Sequence, residues 1–478
     1  MSKVVTRFAP SPTGYIHVGG IRTALFAWLV ARQNQGQFIL RLEDTDQSRE
    51  VSGADNHIIS SINNLGLNYD QGPDIGGPHA PYRQSERLEI YKLWADKLIQ
   101  QGRAYADPYT KDEIESFRQQ AIQNKKPFLY RNHRPENPPA WDGKTALRFK
   151  SDPKSYKRND LVMGELITGP EAIDDFIIVK SDGFPTYNFA HIVDDAEMEV
   201  SHIIRGQEFL ASIPNYLNLY EALGIIPPQM ATMPHILGPD GKKKLSKRDN
   251  AKDVLDYLRD GYLVETMINF IASLGWNDGT EQEIFTKDEL IEKFSLDRVQ
   301  KSGAKFDEKR LLWMNGQWIR KIDINDLYDR CNDYWPESAK NASKEYKLKV
   351  LKLASERLKT LLDLPQLTSF FFEEPTIDLD LFKDNKQLGK LDNSEIINLL
   401  TSAKNMLQES NFTEEDITNR LNKLLEETGQ KPGILFSLIR ISTTWAQFSP
   451  GLAESLALLG KDTTISRIEN TLNILKQN

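Results

Sequence analysis

The stretch RFAPSPTGYIHVGG, residues 7–20, decides how this chain is read. Val4 and Val5 open a short apolar run before it, a predicted strand. After it, residues 19–32 carry Ile21, Ala24, Leu25, Trp28 and Leu29 at helical spacing. The order is strand, a turn rich in Pro and Gly, then helix. Such a turn gathers unpaired backbone N–H groups and the positive end of a helix dipole at one point, which suits a phosphate. His17 stands just before the helix start, within reach of a transferring phosphoryl group, and Gly19 and Gly20 let a nucleotide base approach the backbone. From these residues alone, a nucleotide site and an ordinary buried turn with a hydrogen-bonded histidine stay equally open.

The whole chain sets the bounds. Its 478 residues suffice for about three or four folding units. The apolar fraction of 39% and charged fraction of 27% are those of a globular protein, with no apolar run of membrane-spanning length. The passage from Met1 straight into a strand leaves no room for a signal sequence, and the single Cys331 excludes an intrachain disulfide and any Cys-cluster zinc site. A cytoplasmic protein is expected. The net charge of −8 argues against nucleic acid, but it says little about a local surface. Two stretches run the other way: Lys242, Lys243, Lys244, Lys247 and Arg248, and later Lys344, Lys347, Lys349, Lys352, Arg357 and Lys359.

Taken in order, residues 38–42 form a second short apolar run ending in Glu43-Asp44-Thr45-Asp46, where acids at the carboxyl end of a strand overlook a ligand crevice. Glu43 is placed to hold a cationic group such as an amine, and at least one of the other acids is expected to cap the next turn. Helices are predicted over 54–65 and 83–101, so the opening reads as an α/β nucleotide-binding half. Between 104 and 179 scattered prolines break the periodicity. This reads as an inserted subdomain of short strands with a helix near 111–123, in which Phe149, Leu161 and Leu166 need burial. DFIIVKSDGFPTYNFAHIVDD, residues 175–195, then predicts strand, turn and helix, with Tyr187 and His191 on it; a lone tyrosine or histidine is more often a core residue. Arg205, straight after an apolar strand, is less easily dismissed, because its burial without an anion is costly. In PHILGPDGKKKLSKRD, residues 234–249, a strand through Leu237 and a turn at 238–241 precede Lys244, Ser246 and Lys247, so that two lysine ammonium groups can close over a triphosphate. Beyond it, Ile396, Leu399, Leu400, Ala403, Met406 and Leu407 mark a one-sided helix. Thr413 with Asp416 resembles a capping box, and helices over 347–362, 431–448 and 452–475 make the region all-α.

These two hotspots resemble the HIGH and KMSKS signatures of class I aminoacyl-tRNA synthetases. RFAPSPTGYIHVGG, ILRLEDTD, SDGFPTYNFAHIVDD, IIRGQE, KKLSKRD, SLGWNDG and WMNGQWIR are similar in order and spacing to the bacterial glutamyl-tRNA synthetase family and cover most of the chain. The signatures read His17-Val18-Gly19-Gly20 and Lys244-Leu245-Ser246-Lys247-Arg248, variants of the consensus. Glutaminyl relatives typically carry Glu-Pro-Asn where this chain has Ser11-Pro12-Thr13, and end in β-barrels.

The resemblance implies an α/β Rossmann-type catalytic domain with an inserted α+β subdomain, followed by an all-α anticodon-binding region. The expected limits are 1–86 and 184–245 for the two catalytic halves, 87–183 for the inserted acceptor-binding subdomain, 246–322 for a stem-contact region and 323–478 for the helical domain. It implies a glutamate–tRNA ligase acting through glutamyl-adenylate, with ATP, L-glutamate and tRNA(Glu) as partners, no membrane, and a monomer. By resemblance, His17, Lys244 and Lys247 are catalytic, and Gly19, Gly20, Leu237 and Ser246 join them around ATP. Glutamate falls to Arg7, Ala9, Ser11, Glu43, Tyr187, His191 and Arg205, and tRNA phosphates to Lys349, Lys352 and Arg357. Mg²⁺ is expected with ATP. No structural zinc is expected, since Ala104-Tyr105-Ala106 stands where some members carry cysteines. Rival readings are a paralogue glutamylating another tRNA or a modified base, a nucleotidyltransferase sharing the HIGH-like fold, and a silent tRNA-binding module.

Overall fold

The computed structural model describes residues 3–245 and 252–477, so Ser246, Lys247 and Arg248 lie outside the described residues. The chain forms two compact units, residues 1–257 with 267–307, and residues 258–266 with 308–478. The stretch 246–322, read from the sequence as one stem-contact region, is shared between them.

In the first unit β1 (Val5–Phe8) leads through α1 (Val18–Gln33) to β2 (Gln37–Leu40), which pairs with β1 in parallel, Arg7 opposite Ile39. Parallel neighbours need a crossover. Helix α1 supplies it and buries Ile21, Leu25, Trp28 and Leu29. The return to β2 passes Gly36, where a Cβ would stand 2.2 Å from the Val4 carbonyl oxygen. Helices α2 (Ala54–Asn64) and α3 (Leu88–Gln100) follow. The second begins five residues later than its sequence pattern suggests, because Arg83 is held extended in a bridge to Leu42 and Gln84 and Arg87 turn inward to Asp194.

The insertion contains β3 (Ala104–Ala106), α4 (Lys111–Gln123), β4 (Leu147–Phe149), β5 (Tyr156–Asp160), β6 (Gly164–Thr168) and β7 (Ile177–Val179). Strands β3, β4 and β7 form an antiparallel sheet, and β5–β6 is a hairpin. Phe149 is fully buried, whereas Leu161 and Leu166 remain half-buried. At the Ala104-Tyr105-Ala106 stretch the subdomain is held by polar links: Tyr105 to Asp175 at 2.8 Å, Arg148 to Asp107 at 2.6 Å, and Arg148 over the Tyr130 ring at 3.4 Å.

The chain re-enters through α5 (Tyr187–Glu197), β8 (His202–Gly206), α6 (Ile213–Leu223) and β9 (Gln229–Met233). The sheet order is β2-β1-β8-β9, all parallel. Since β1 has its first successor on one side and the later strands on the other, the crevice beyond the carboxyl ends of β1 and β8 is the topological switch point, where such sheets bind ligands. Off this sheet, β10 (Ile236–Leu237) pairs in parallel with β11 (Ala304–Lys305).

The second unit is helical among its described residues. The helices Asn393–Gln408, Glu414–Thr428, Pro432–Thr444, Leu452–Leu459 and Lys461–Gln477 enclose Leu400, Ala403, Leu407, Ile417, Leu421, Leu435 and Ile468. The region read as one helix over 452–475 is two, broken at Gly460. The helix expected over 347–362 runs Lys344–Ser355, and Thr360 with Asp363 opens a new turn. Only half of the expected box at Thr413 forms, because Asp416 turns to Ser410 and Asn411 instead. Asn315 ties the unit's discontinuous pieces, bonding to the Leu263 amide and to Thr266 and Lys359. No described helix is long and apolar enough to cross a membrane.

Gly36→Ala should lower stability by about 1–3 kcal/mol, since the clash is with backbone that cannot rotate away. A fall in unfolding temperature checks this, and an unchanged one contradicts it.

Candidate functional site

The loops after β1, β2 and β8 converge at the switch point. Loop 9–17 is tied to the chain after β2, the Arg41 amide bonding to Phe8 O and the Glu43 amide to Pro10 O. His17 is the N-cap of α1, its Nδ1 accepting the Gly19 N–H at 3.0 Å. That bond leaves the ring proton of a neutral imidazole on Nε2, a donor for an anionic oxygen. Gly19 is required here, since its Cβ would stand 2.9 Å from the His17 ring.

His17 and Gly20 line a cavity of about 490 Å³ with Phe8, Pro10, Ser11, Thr13, Tyr15 and Glu208. The first turn of α1 holds no acidic residue, so its N-terminus remains favourable to an anion. Lys244 approaches this rim, its Nζ 3.9 Å from Glu208. Leu237 lies in β10, half-buried, and Ala9 is half-buried between Phe8 and Pro10; neither lines the cavity.

A second cavity, of about 470 Å³, shares Ser11 and Thr13 with the first and adds Glu43, Asp44, Asp46, Lys180, Tyr187 and Phe209. Asp44 also holds the turn at Ser85, accepting from its amide at 2.8 Å and from its hydroxyl at 2.6 Å.

A buried ion network includes Glu43. Arg7 grips Asp195 with both Nε and a terminal nitrogen, at 3.0 and 3.3 Å. Arg41 meets Asp195 and Glu43 at 2.9 Å each and Asp194 at 3.7 Å, while Arg87 meets Asp194 at 2.7 Å. Three guanidinium groups thus balance three carboxylates. Burial alone would raise the Asp195 carboxyl, but Arg7 and Arg41 hold it well below the usual carboxylate range. For Glu43 burial wins and the carboxyl is raised, although Arg41 and Arg7 oppose it. The burial is nearly complete.

Arg205 feels the Asp195 charge but makes no hydrogen bond to this network. It is only 4% exposed, and none of its three guanidine nitrogens has a hydrogen-bond partner among the described residues. Its neighbours are rings, Phe209 at 5.3 Å and Tyr216 at 5.5 Å. A buried charge without a partner costs several kcal/mol, so an orphaned guanidinium beside a cavity marks a place for an anion. Phe209 and Tyr187, stacked at 5.3 Å, line the second cavity, while Arg205 packs against the Phe209 ring without lining it.

His191 packs beneath Tyr187 and lines neither cavity. It is fully buried, its ring lies 4.8 Å from that of Tyr187, and its Nδ1 lies 2.7 Å from the Tyr187 carbonyl. Burial, then the Arg205 charge, push its pKa well below the usual value, so it is neutral. A neutral ring donating from Nδ1 has only an acceptor at Nε2, which cannot hold a carboxylate.

Sequence reasoning passed over Glu208, Phe209 and Lys180, which line the cavities, and Arg41 and Asp195, which hold the network. Glu208 and Phe209 sit directly at the end of IIRGQE, and Asp195 ends AHIVDD, so their positions in the motifs were the available signal.

On the second unit, Lys352 and Arg357 are exposed, while Lys349 pairs with Glu345 at 2.8 Å. Lys344 and Lys347 lie over the rings of Tyr328 and Trp335. Among the described residues no group of three His, Cys, Asp or Glu side chains converges as a metal site.

Residues 3–313 match the family described as tRNA synthetases class I (E and Q), catalytic domain, and residues 326–472 match an anticodon binding domain. The glutamate–tRNA ligase of Dehalococcoides mccartyi is 40% identical, the alignment covering 98% of this chain and 96% of that one. That of Clostridium tetani is 38% identical, over 99% and 98%. The crystal structure of a glutamate tRNA ligase from Elizabethkingia meningosepticum in complex with its amino acid superposes with a TM-score of 0.85 at 33% identity, over 99% of this chain and 100% of that one. With a catalytic and an anticodon-binding region both matched and similarity running the length of the chain, it belongs to the glutamyl-tRNA synthetase family of class I tRNA synthetases.

Proposed function

We propose that this chain is a glutamate–tRNA ligase in which Arg205 receives the side-chain carboxylate of glutamate, and that its orphaned guanidinium is the observation that carries the reading. Glu43, whose carboxylate lines the second cavity, accepts the α-ammonium, with Ser11 beside it. The α-carboxylate then points across the shared Ser11–Thr13 wall toward the His17 cavity, which takes ATP. Arg7, committed to Asp195, acts through the network that fixes Glu43.

In the first step an α-carboxylate oxygen bonds to the α-phosphorus of ATP and the bond to the β-phosphate oxygen breaks, releasing pyrophosphate. In the second, a terminal ribose hydroxyl of tRNA attacks the glutamyl carbonyl and AMP leaves. Neither step needs a covalent bond to the protein, so catalysis is positioning and charge stabilisation. His17 offers an Nε2–H hydrogen bond to a phosphate oxygen, and Lys244 stands at the same rim beside Glu208. Lys247 is assigned the same work from the sequence pattern. Mg²⁺ neutralises phosphate charge when ATP binds. Glu208 is the carboxylate lining that cavity, which fits an ion held chiefly by phosphate oxygens and water.

Glutamine is refused because its neutral amide would leave Arg205 buried and unpaired. On the helical unit, the exposed Lys352 and Arg357 are the candidate phosphate contacts, with Lys349 partly occupied by Glu345.

Arg205→Met separates substrate recognition from stability. It should raise the KM for glutamate by about a hundredfold or more. The unfolding temperature without ligand should hold or rise, because the substitution removes a buried unpaired charge. Glutamate should raise that temperature in the wild type and not in the variant. A strongly destabilised variant that still responds to glutamate would contradict the assignment. For the tRNA surface, Lys352→Ala and Arg357→Ala should each weaken tRNA binding and lower the slope of log affinity against log salt by about 1. Titrations at several salt concentrations check this, and unchanged slopes would place the contact elsewhere.

A further inference from the structure

One imidazole outside the ligand cavities ties three parts of the first unit together. His57 lies near the start of α2, and its ring stacks on Tyr15 with centroids 4.4 Å apart and planes 20° from parallel. Its Nε2 meets Asp253 Oδ2 at 2.5 Å, and both side chains are only 14% exposed. The other oxygen of Asp253, Oδ1, accepts the Leu255 N–H at 2.8 Å, where the helix Val254–Arg259 begins. Tyr15 stands two residues before His17 and lines the same cavity, as does Ile58, the neighbour of His57. In the sequence, Asp253 stands six residues beyond Lys247. Tyr15 is itself 53% exposed, and the His57 ring covers one of its faces.

We propose that His57 is a positioning residue for ATP, holding Tyr15 against α2 and clipping the first signature loop to the chain just downstream of the second through Asp253. The inference rests on the reading of the His17 cavity as the ATP site. Stacking without the Asp253 contact would loosen the link to the downstream chain, and the Asp253 contact without stacking would loosen Tyr15, so both halves of the contact matter.

The test compares His57→Ala, His57→Phe, Asp253→Asn and the double variant His57→Phe/Asp253→Asn in tRNA-dependent pyrophosphate exchange. Phe keeps the stack and loses the Asp253 contact. Asn keeps the helix cap, being as good a cap as Asp. His57→Ala should raise the KM for ATP about tenfold, with the KM for glutamate within about twofold of wild type. His57→Phe and Asp253→Asn should each give part of that rise, and the double variant should be no worse than the worse single one, as coupled partners behave. An unchanged KM for ATP in both His57→Ala and Asp253→Asn would overturn the proposal. So would equal rises in both KM values, or fully additive effects in the double variant. His17→Asn separates this from the site reading. If it impairs ATP use while the clip variants do not, only the clip fails; if it leaves ATP use unaltered, the site reading fails with it.

Discussion

The arrangement depends on one electrostatic constraint, which is that a guanidinium is buried at the end of β8 with no hydrogen-bond partner for its nitrogens among the described residues. Next to it, Arg7, Arg41 and Arg87 are balanced by Glu43, Asp194 and Asp195 within a single linked network. That network cannot lend a carboxylate to Arg205 without orphaning another arginine. On the proposed reading, a substrate with an acidic side chain supplies the counter-charge from outside the protein. Selectivity follows from that reading, because a neutral analogue of equal shape leaves the burial penalty standing.

The parallel sheet turns this local charge imbalance into a reaction site. With β1 between β2 and β8, three strand ends deliver Ser11, Glu43 and the Arg205–Phe209 segment to one crevice. Ser11 and Thr13 belong to both cavities, so the two share a wall. His17 accepts the Gly19 N–H from the first turn of the helix it caps. Loop 9–17 is bonded to the chain after β2, which holds it against the segment that carries Glu43.

Much of this was legible in the sequence, for identifiable reasons. The turn at 7–20 carried strand, glycine and helix signals in one place, and Arg205 stood out because an arginine after an apolar strand has to answer for its burial. The commitment of Arg7 to Asp195 was not legible, because it joins residues 188 positions apart and no local pattern encodes it. The packing of His191 beneath Tyr187 was not legible either, since a histidine beneath a tyrosine and a histidine facing a substrate look alike in one dimension. In the insertion, strands of three to five residues are too short for an alternating pattern to declare itself. Helix ends were misjudged where tertiary bonds took the backbone, as at Arg83, or where Gly460 divided one apolar run into two helices.

The most direct measurement is a crystal structure of the enzyme with L-glutamate. The account predicts the side-chain carboxylate within about 3 Å of the Arg205 guanidinium, Phe209 and Tyr187 displaced or parted to admit it, and the α-ammonium on Glu43. A glutamate bound the other way round, its side chain toward Lys180 and Arg205 still without a partner, would contradict it.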